Sequence, residues 1–123
     1  MLFTTVACHG ERSLIARGVV RDAEGRPIRA AHVQFQFRGH PMALDGETDE
    51  GGRFLLYRTV KGPSRDYAFK ADVTGHKPVV AEVSTIRKEN LLVVTLQPQR
   101  SAAESTVQSV SEDPWATSTD RSK

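Results

Sequence analysis

Between Gly18 and Val33 the chain reads Gly-Val-Val-Arg-Asp-Ala-Glu-Gly-Arg-Pro-Ile-Arg-Ala-Ala-His-Val. An apolar run meets an acidic turn at Asp22, reverses through Gly25 and Pro27, and re-enters an alternating run at Ala31 and Val33. Asp22 is suited to accept hydrogen bonds from backbone N–H groups at the start of the turn. Gly25 suits a positive-φ position, where a side chain would clash. Pro27 begins the return where a missing N–H donor is tolerable. This is the hairpin of a β protein, and it leaves little room for a helical alternative.

The alternation continues beyond that hairpin. In Ala31–Arg38 the residues Ala31, Val33, Phe35 and Phe37 share one face, and His32, Gln34, Gln36 and Arg38 take the other. Tyr67, Phe69, Ala71 and Val73 repeat the pattern. Shorter runs lie at 14–20, 54–57, 79–83 and 91–96. Turn residues separate them at 22–27, 48–52, 62–64, 75–78 and 87–90. Thr48-Asp49-Glu50-Gly51-Gly52-Arg53-Phe54 repeats the logic of the first turn, and Gly75 opens a later one. Short strands at this spacing with no intervening helix predict an antiparallel two-sheet sandwich of about seven strands.

Composition divides the chain into three parts: a lead-in over residues 1–12, the sandwich over 13–98, and a tail over 99–123. The tail is rich in Ser, Thr, Glu and Ala with a lone Trp115, and its composition predicts disorder. With 17 Lys and Arg against 15 Asp and Glu, the net charge is only +2 and no basic block forms, so nucleic acid is not an expected partner. Cys8 is the single cysteine, which excludes an intrachain disulfide. No apolar run reaches the roughly 20 residues that a spanning helix needs.

Gly18, Val20, Asp22, Gly25, Pro27, Ile28, Ala31 and Val33, followed by Thr48, Asp49, Gly52 and Phe54, resemble the signature of carboxypeptidase regulatory-like domains. Tyr67-Ala68-Phe69 and Val94-Thr95-Leu96 stand where that family has its later strands, and Gly75-His76 replaces the usual Gly-Tyr turn. The resemblance implies a seven-stranded antiparallel Greek-key β-sandwich of transthyretin-like fold. It also implies a non-catalytic binding or assembly module with a protein or polysaccharide partner.

His9, His32, His40 and His76 show no metal-ligand spacing and read as surface histidines. The run Asp45–Gly51 offers carboxylates like a calcium loop, but Leu56 stands where the bidentate Glu would be needed. No metal, cofactor or catalytic residue is therefore expected. The 5-hydroxyisourate hydrolases resemble the chain in its opening hairpin and supply an alternative reading. They need a first-strand His and a C-terminal Tyr-Arg-Gly-Ser, whereas this chain has Arg17 and Val19 and ends in Asp120-Arg121-Ser122-Lys123.

Leu2-Phe3-Thr4-Thr5-Val6-Ala7-Cys8 looks like the end of a bacterial lipoprotein signal, without its basic segment and longer apolar run. It makes Cys8 the candidate lipidation site and membrane tether. The expected location is the bacterial cell envelope, whether periplasmic, secreted or lipid-anchored. The alternative is a cytoplasmic interaction domain that uses an exposed edge strand, and such an edge also suits a homo-oligomer.

Overall fold

The computed structural model describes residues 11–61 and 66–116. Among them are eight strands: β1 Glu11–Asp22, β2 His32–Phe37, β3 His40–Glu47, β4 Arg53–Lys61, β5 Tyr67–Asp72, β6 Val79–Glu82, β7 Asn90–Leu96 and β8 Thr106–Ser109. They form two four-stranded sheets, ordered β4-β1-β7-β8 and β3-β2-β5-β6. The molecule is an all-β sandwich.

Period-two alternation fills the space between the sheets. Leu14, Ala16 and Val20 of β1 face Val33 and Phe35 of β2, with Phe54, Leu56, Phe69, Ala71, Leu92, Val94 and Leu96 completing the core. Phe54 and Phe69 come from opposite sheets and stack with ring centroids 4.9 Å apart. Each fully buried side chain of this size contributes about 1.5–3 kcal/mol relative to exposure. Asn90 is the main buried polar group. Its amide donates to the carbonyls of Ile15 and Ser84 and its Oδ1 accepts from Ser84 N–H, so its burial leaves no polar atom stranded.

Three sequence expectations are corrected here. The sandwich is not wholly antiparallel: β1 pairs antiparallel with β4 but parallel with β7, and the strand that follows the Asp22–Pro27 turn, β2, lies in the other sheet and forms no hairpin with β1. Parallel neighbours need a crossover, and the chain makes one by building the whole second sheet between β1 and β7. Two strands exceed the runs read from alternation, β3 and β8. In β3, Pro41 and Gly46 break the pattern, and both are tolerated because β3 is an edge strand. Arg38 and Gly39, with φ of 54° and 81°, make the tight turn between β2 and β3. Two positive-φ central residues define a type I′ hairpin, for which Asn-Gly is the usual signal and Arg-Gly is not.

The third correction concerns domain limits. Glu11 and Arg12, read as lead-in, belong to β1. The segment after Pro98, read as disordered, is folded through Ala116 across the described residues. The Ser105 hydroxyl accepts from Gln97 N–H and donates to the Lys77 carbonyl, β8 pairs with β7, and Pro114 is buried. The order there comes from ladder hydrogen bonds and a few anchors, which composition does not register.

Candidate functional site

The two acidic turns read from the sequence are built alike and lie side by side. Asp22 Oδ1 accepts from Glu24 N–H and Arg26 N–H, both at 2.9 Å, and Oδ2 meets the Arg26 guanidinium at 3.2 Å. Asp49 accepts from Gly51 and Arg53 N–H at 2.9 and 2.8 Å, and from the Arg53 guanidinium at 3.1 Å. Burial pushes both carboxyls up, but the backbone N–H groups and the arginines outweigh it and hold them below the ordinary Asp value.

Gly25 and Gly52, three residues after each Asp, have φ of 87° and 75°. A Cβ on Gly52 would lie 2.4 Å from the Val20 carbonyl and 3.1 Å from Pro27, so the two turns pack too closely for a side chain. Thr48 fastens the return strand: its buried hydroxyl accepts from Ala31 N–H at 2.9 Å and donates to the Ile28 carbonyl at 2.6 Å. Gly75, φ 87°, sits in the turn before β6, where its carbonyl accepts from Gln99 N–H. These positions shape the scaffold and bring no reactive set together. Cys8 and His9 lie outside the described residues.

The remaining histidines are dispersed. His32 Nε2 meets Asp45 at 2.8 Å across β2 and β3, His40 closes the β2–β3 turn, and His76 lies beside Gly75. Asp49 of the calcium-like run is committed to its own turn. Among the described residues, no three His, Cys, Asp or Glu side chains come together in a way that could hold a metal ion.

The distinctive surface lies elsewhere, on the outer face of the β4-β1-β7-β8 sheet. Register places Tyr57 beside Ile15, Arg17 between Leu55 and Leu91, and Val19 beside Val93. These are outward positions, yet six of the seven are apolar or aromatic. Leu55 and Tyr57 are 55% and 53% exposed. After β8 the chain returns across this face and anchors on Arg17. The Arg17 guanidinium meets Asp113 at 2.6 Å and Glu89 at 3.1 Å, and stands 4.9 Å from the Trp115 ring centroid. The Trp115 indole N–H donates to the Gly18 carbonyl at 2.9 Å. Burial opposes the charge on Arg17, but Asp113 and Glu89 outweigh it and tighten the proton's hold. The Asp113 carboxyl is lowered chiefly by the Trp115 backbone N–H, with burial opposing and Arg17 assisting.

Between this returning arm and the sheet is a recess of about 530 Å³. Val19, Val93, Val110 and Pro114 give it apolar walls, Arg21, Gln108 and Glu112 supply polar groups, and Gly25, Pro27 and Gly51 of the paired turns close one end. Such a recess suits an apolar side chain with a polar group at its edge. Sequence reasoning missed Arg17, Asp113 and the role of Trp115. A signal for the face was present: Leu14-Ile15-Ala16 and Leu91-Leu92-Val93-Val94 are apolar at consecutive positions, so both faces of those strands avoid water.

No protein-family model matches the chain, and no curated protein matches it. Solved structures do resemble it. Catechol 1,2-dioxygenase from Acinetobacter radioresistens aligns with a TM-score of 0.52 at 12% identity, over 83% of this chain and 57% of that one. The enzyme of the same name from Pseudomonas arvilla gives 0.49 at 14% identity, over 76% and 54%. A 3-chlorocatechol 1,2-dioxygenase from Rhodococcus opacus gives 0.46 at 17% identity, over 80% and 60%. The chain spans less than two thirds of each. At these identities the likeness shows the fold alone, a β-sandwich, and does not extend to the carboxypeptidase regulatory-like assignment.

One functional expectation is overturned. A non-catalytic module is what the family resemblance and the lack of a catalytic set imply, yet the catechol 1,2-dioxygenases of similar fold are enzymes. A sandwich positions different side chains in different proteins, so a missing motif from one enzyme does not make the fold inert.

Proposed function

We propose that this chain is a recognition module of the bacterial cell envelope that holds a protein partner against the outer face of the β4-β1-β7-β8 sheet. The observation that carries this reading is the apolar surface that Ile15, Val19, Leu55, Tyr57, Leu91 and Val93 form around Arg17, with Leu55 and Tyr57 more than half exposed. Contiguous exposed apolar surface rimmed by polar groups is characteristic of interaction sites. A protein partner is favoured over a polysaccharide because the walls of the adjoining recess are aliphatic. The one indole nearby is already packed on Arg17, and its N–H is bonded to Gly18.

The finer family reading, a carboxypeptidase regulatory-like sandwich, is supported by the paired Asp-x-x-Gly turns and by Thr48 bracing the strand that follows the first. An envelope location with a tether through Cys8 is supported by the small residues that precede that cysteine. Intact mass of the native protein tests the tether: a mature chain beginning at acylated Cys8 in the membrane fraction is the expected result.

Affinity capture from envelope extracts tests the face itself, comparing the native chain with Leu55→Asp and Tyr57→Asp. A protein retained by the native chain and lost by both variants, with unfolding midpoints unchanged, is expected. Undiminished retention by both variants would sink the proposal.

A further inference from the structure

The opposite surface of interest is at the end of the sandwich where β1 begins. There the sheets part around a second recess of about 530 Å³, floored by Phe37, Met42, Val60 and Tyr67. Phe37 and Tyr67 are in ring contact, centroids 5.1 Å apart. The rim is basic: Arg38, His40, Arg58 and Lys61. Arg12, opposite Val60 in the β1–β4 ladder, adds a further cation beside it. Arg38 is paired with Asp66 at 3.1 Å and lies 5.0 Å from the Phe37 ring centroid. Glu11 stands opposite Lys61 in the ladder.

The far end of the molecule is arranged differently. Three of its arginines are paired in place, Arg26 by Asp22 and Glu24, Arg29 by Glu50, and Arg53 by Asp49. Arg12, Arg58 and Lys61, none of them in a salt bridge among the described residues, therefore stand beside the apolar side chains of this recess.

We infer that this end docks on an anionic lipid surface. Phe37 and Met42 meet the headgroup boundary, and Arg12, Arg58 and Lys61 face lipid phosphates. An apolar patch within a basic ring is the composition that binds such interfaces, and binding of this kind depends on anionic lipid and weakens with salt. The inference is independent of the partner-binding face and does not require Cys8 to be acylated.

Co-sedimentation of the full chain carrying Cys8→Ser, so that no acyl chain contributes, tests it on phosphatidylcholine vesicles with and without phosphatidylglycerol. Binding only to the anionic vesicles, reduced by salt, is expected. Arg58→Glu with Lys61→Glu weakens it by about tenfold or more, while Lys70→Glu on the outer face of the other sheet leaves it unchanged. Lys61→Glu alone, at an exposed position, gives a smaller loss in the same direction should the double variant fold poorly. Three results would overturn the inference: no preference for the anionic vesicles, equal binding by the rim variants, or uptake of monomeric laurate into the recess without vesicle binding.

Discussion

The outer faces of the two sheets differ although both sheets feed the same core. On the β3-β2-β5-β6 sheet the outward positions include His32, Gln34, Gln36, Lys70, Asp72 and Glu82, with Val80 an exposed apolar exception. His32 is bonded to Asp45, and Lys70 lies 3.7 Å from Asp72. That face is a solvated surface. On the β4-β1-β7-β8 sheet the same outward positions hold Ile15, Val19, Leu55, Tyr57, Leu91 and Val93 around Arg17, and a returning arm roofs part of them. A sheet needs only one apolar face to pack, so the second is surplus to folding and points to contact with something else. The arm covers the β1–β7 side, and Leu55 and Tyr57 of β4 stay about half exposed.

This contrast can be broken or sharpened by substitution, beginning where the effect is largest. Phe69→Ala, in the shared core, is expected to cost about 4 kcal/mol in urea unfolding, and Phe35→Ala a similar amount. A loss confined to one sheet would mean that the sandwich is not one cooperative unit.

Gly18 and Gly46 give the next comparison. A Cβ on Gly18 would meet the Leu92 carbonyl at 1.9 Å, whereas on Gly46 it would make ordinary contact with Leu56 at 3.6 Å. Gly18→Ala is therefore expected to cost about 3 kcal/mol, since backbone must move. Gly46→Ala is expected to stay within about 0.5 kcal/mol of the native chain.

Trp115→Ala removes the arm's anchor and is expected to cost about 2 kcal/mol. Trp115 is the only tryptophan, so its fluorescence reports the arm directly. Coincident fluorescence and circular dichroism transitions are expected. A fluorescence transition at much lower urea would show that the arm opens separately from the sheet.

The acidic turns predict a pH response. Asp22 and Asp49 have folded pKa values below the unfolded value of about 4, so their contribution is fully present above it and is lost as pH falls through the folded values. Thermal midpoints should hold from neutral pH down to about 4 and fall below it. In the Asp22→Asn, Asp49→Asn double variant that fall should be shallower. The smallest effect belongs to the solvated face: Lys70→Ala and His32→Ala are each expected within about 0.5 kcal/mol.

Legibility in the sequence followed the range of the interactions. The turns at Asp22 and Asp49 were readable because an Asp, a Gly three residues later and the intervening N–H groups are all local. The inward sets Val33, Phe35 and Tyr67, Phe69, Ala71 were readable because strand alternation is local as well. The β2–β3 turn was not, since Arg38 adopts a positive φ that its residue type disfavours. A tertiary tie holds it there: Arg38 N–H donates to the Asp66 carbonyl at 3.0 Å, and its guanidinium pairs with the Asp66 side chain. The apolar outer face was half legible, as consecutive apolar residues with no stated use.

The amino-acid order by itself determined an all-β chain, the place and chemistry of its main turns, and which side of each alternating strand turns inward. Only the tertiary structure decided that β1 and β7 run parallel, that the polar C-terminal segment is ordered, and that Arg17, Asp113 and Trp115 meet over the outer face. The physical reason is separation along the chain: Arg17 and Asp113 stand 96 residues apart. Their contact depends on strands first pairing across both sheets, which no local preference encodes.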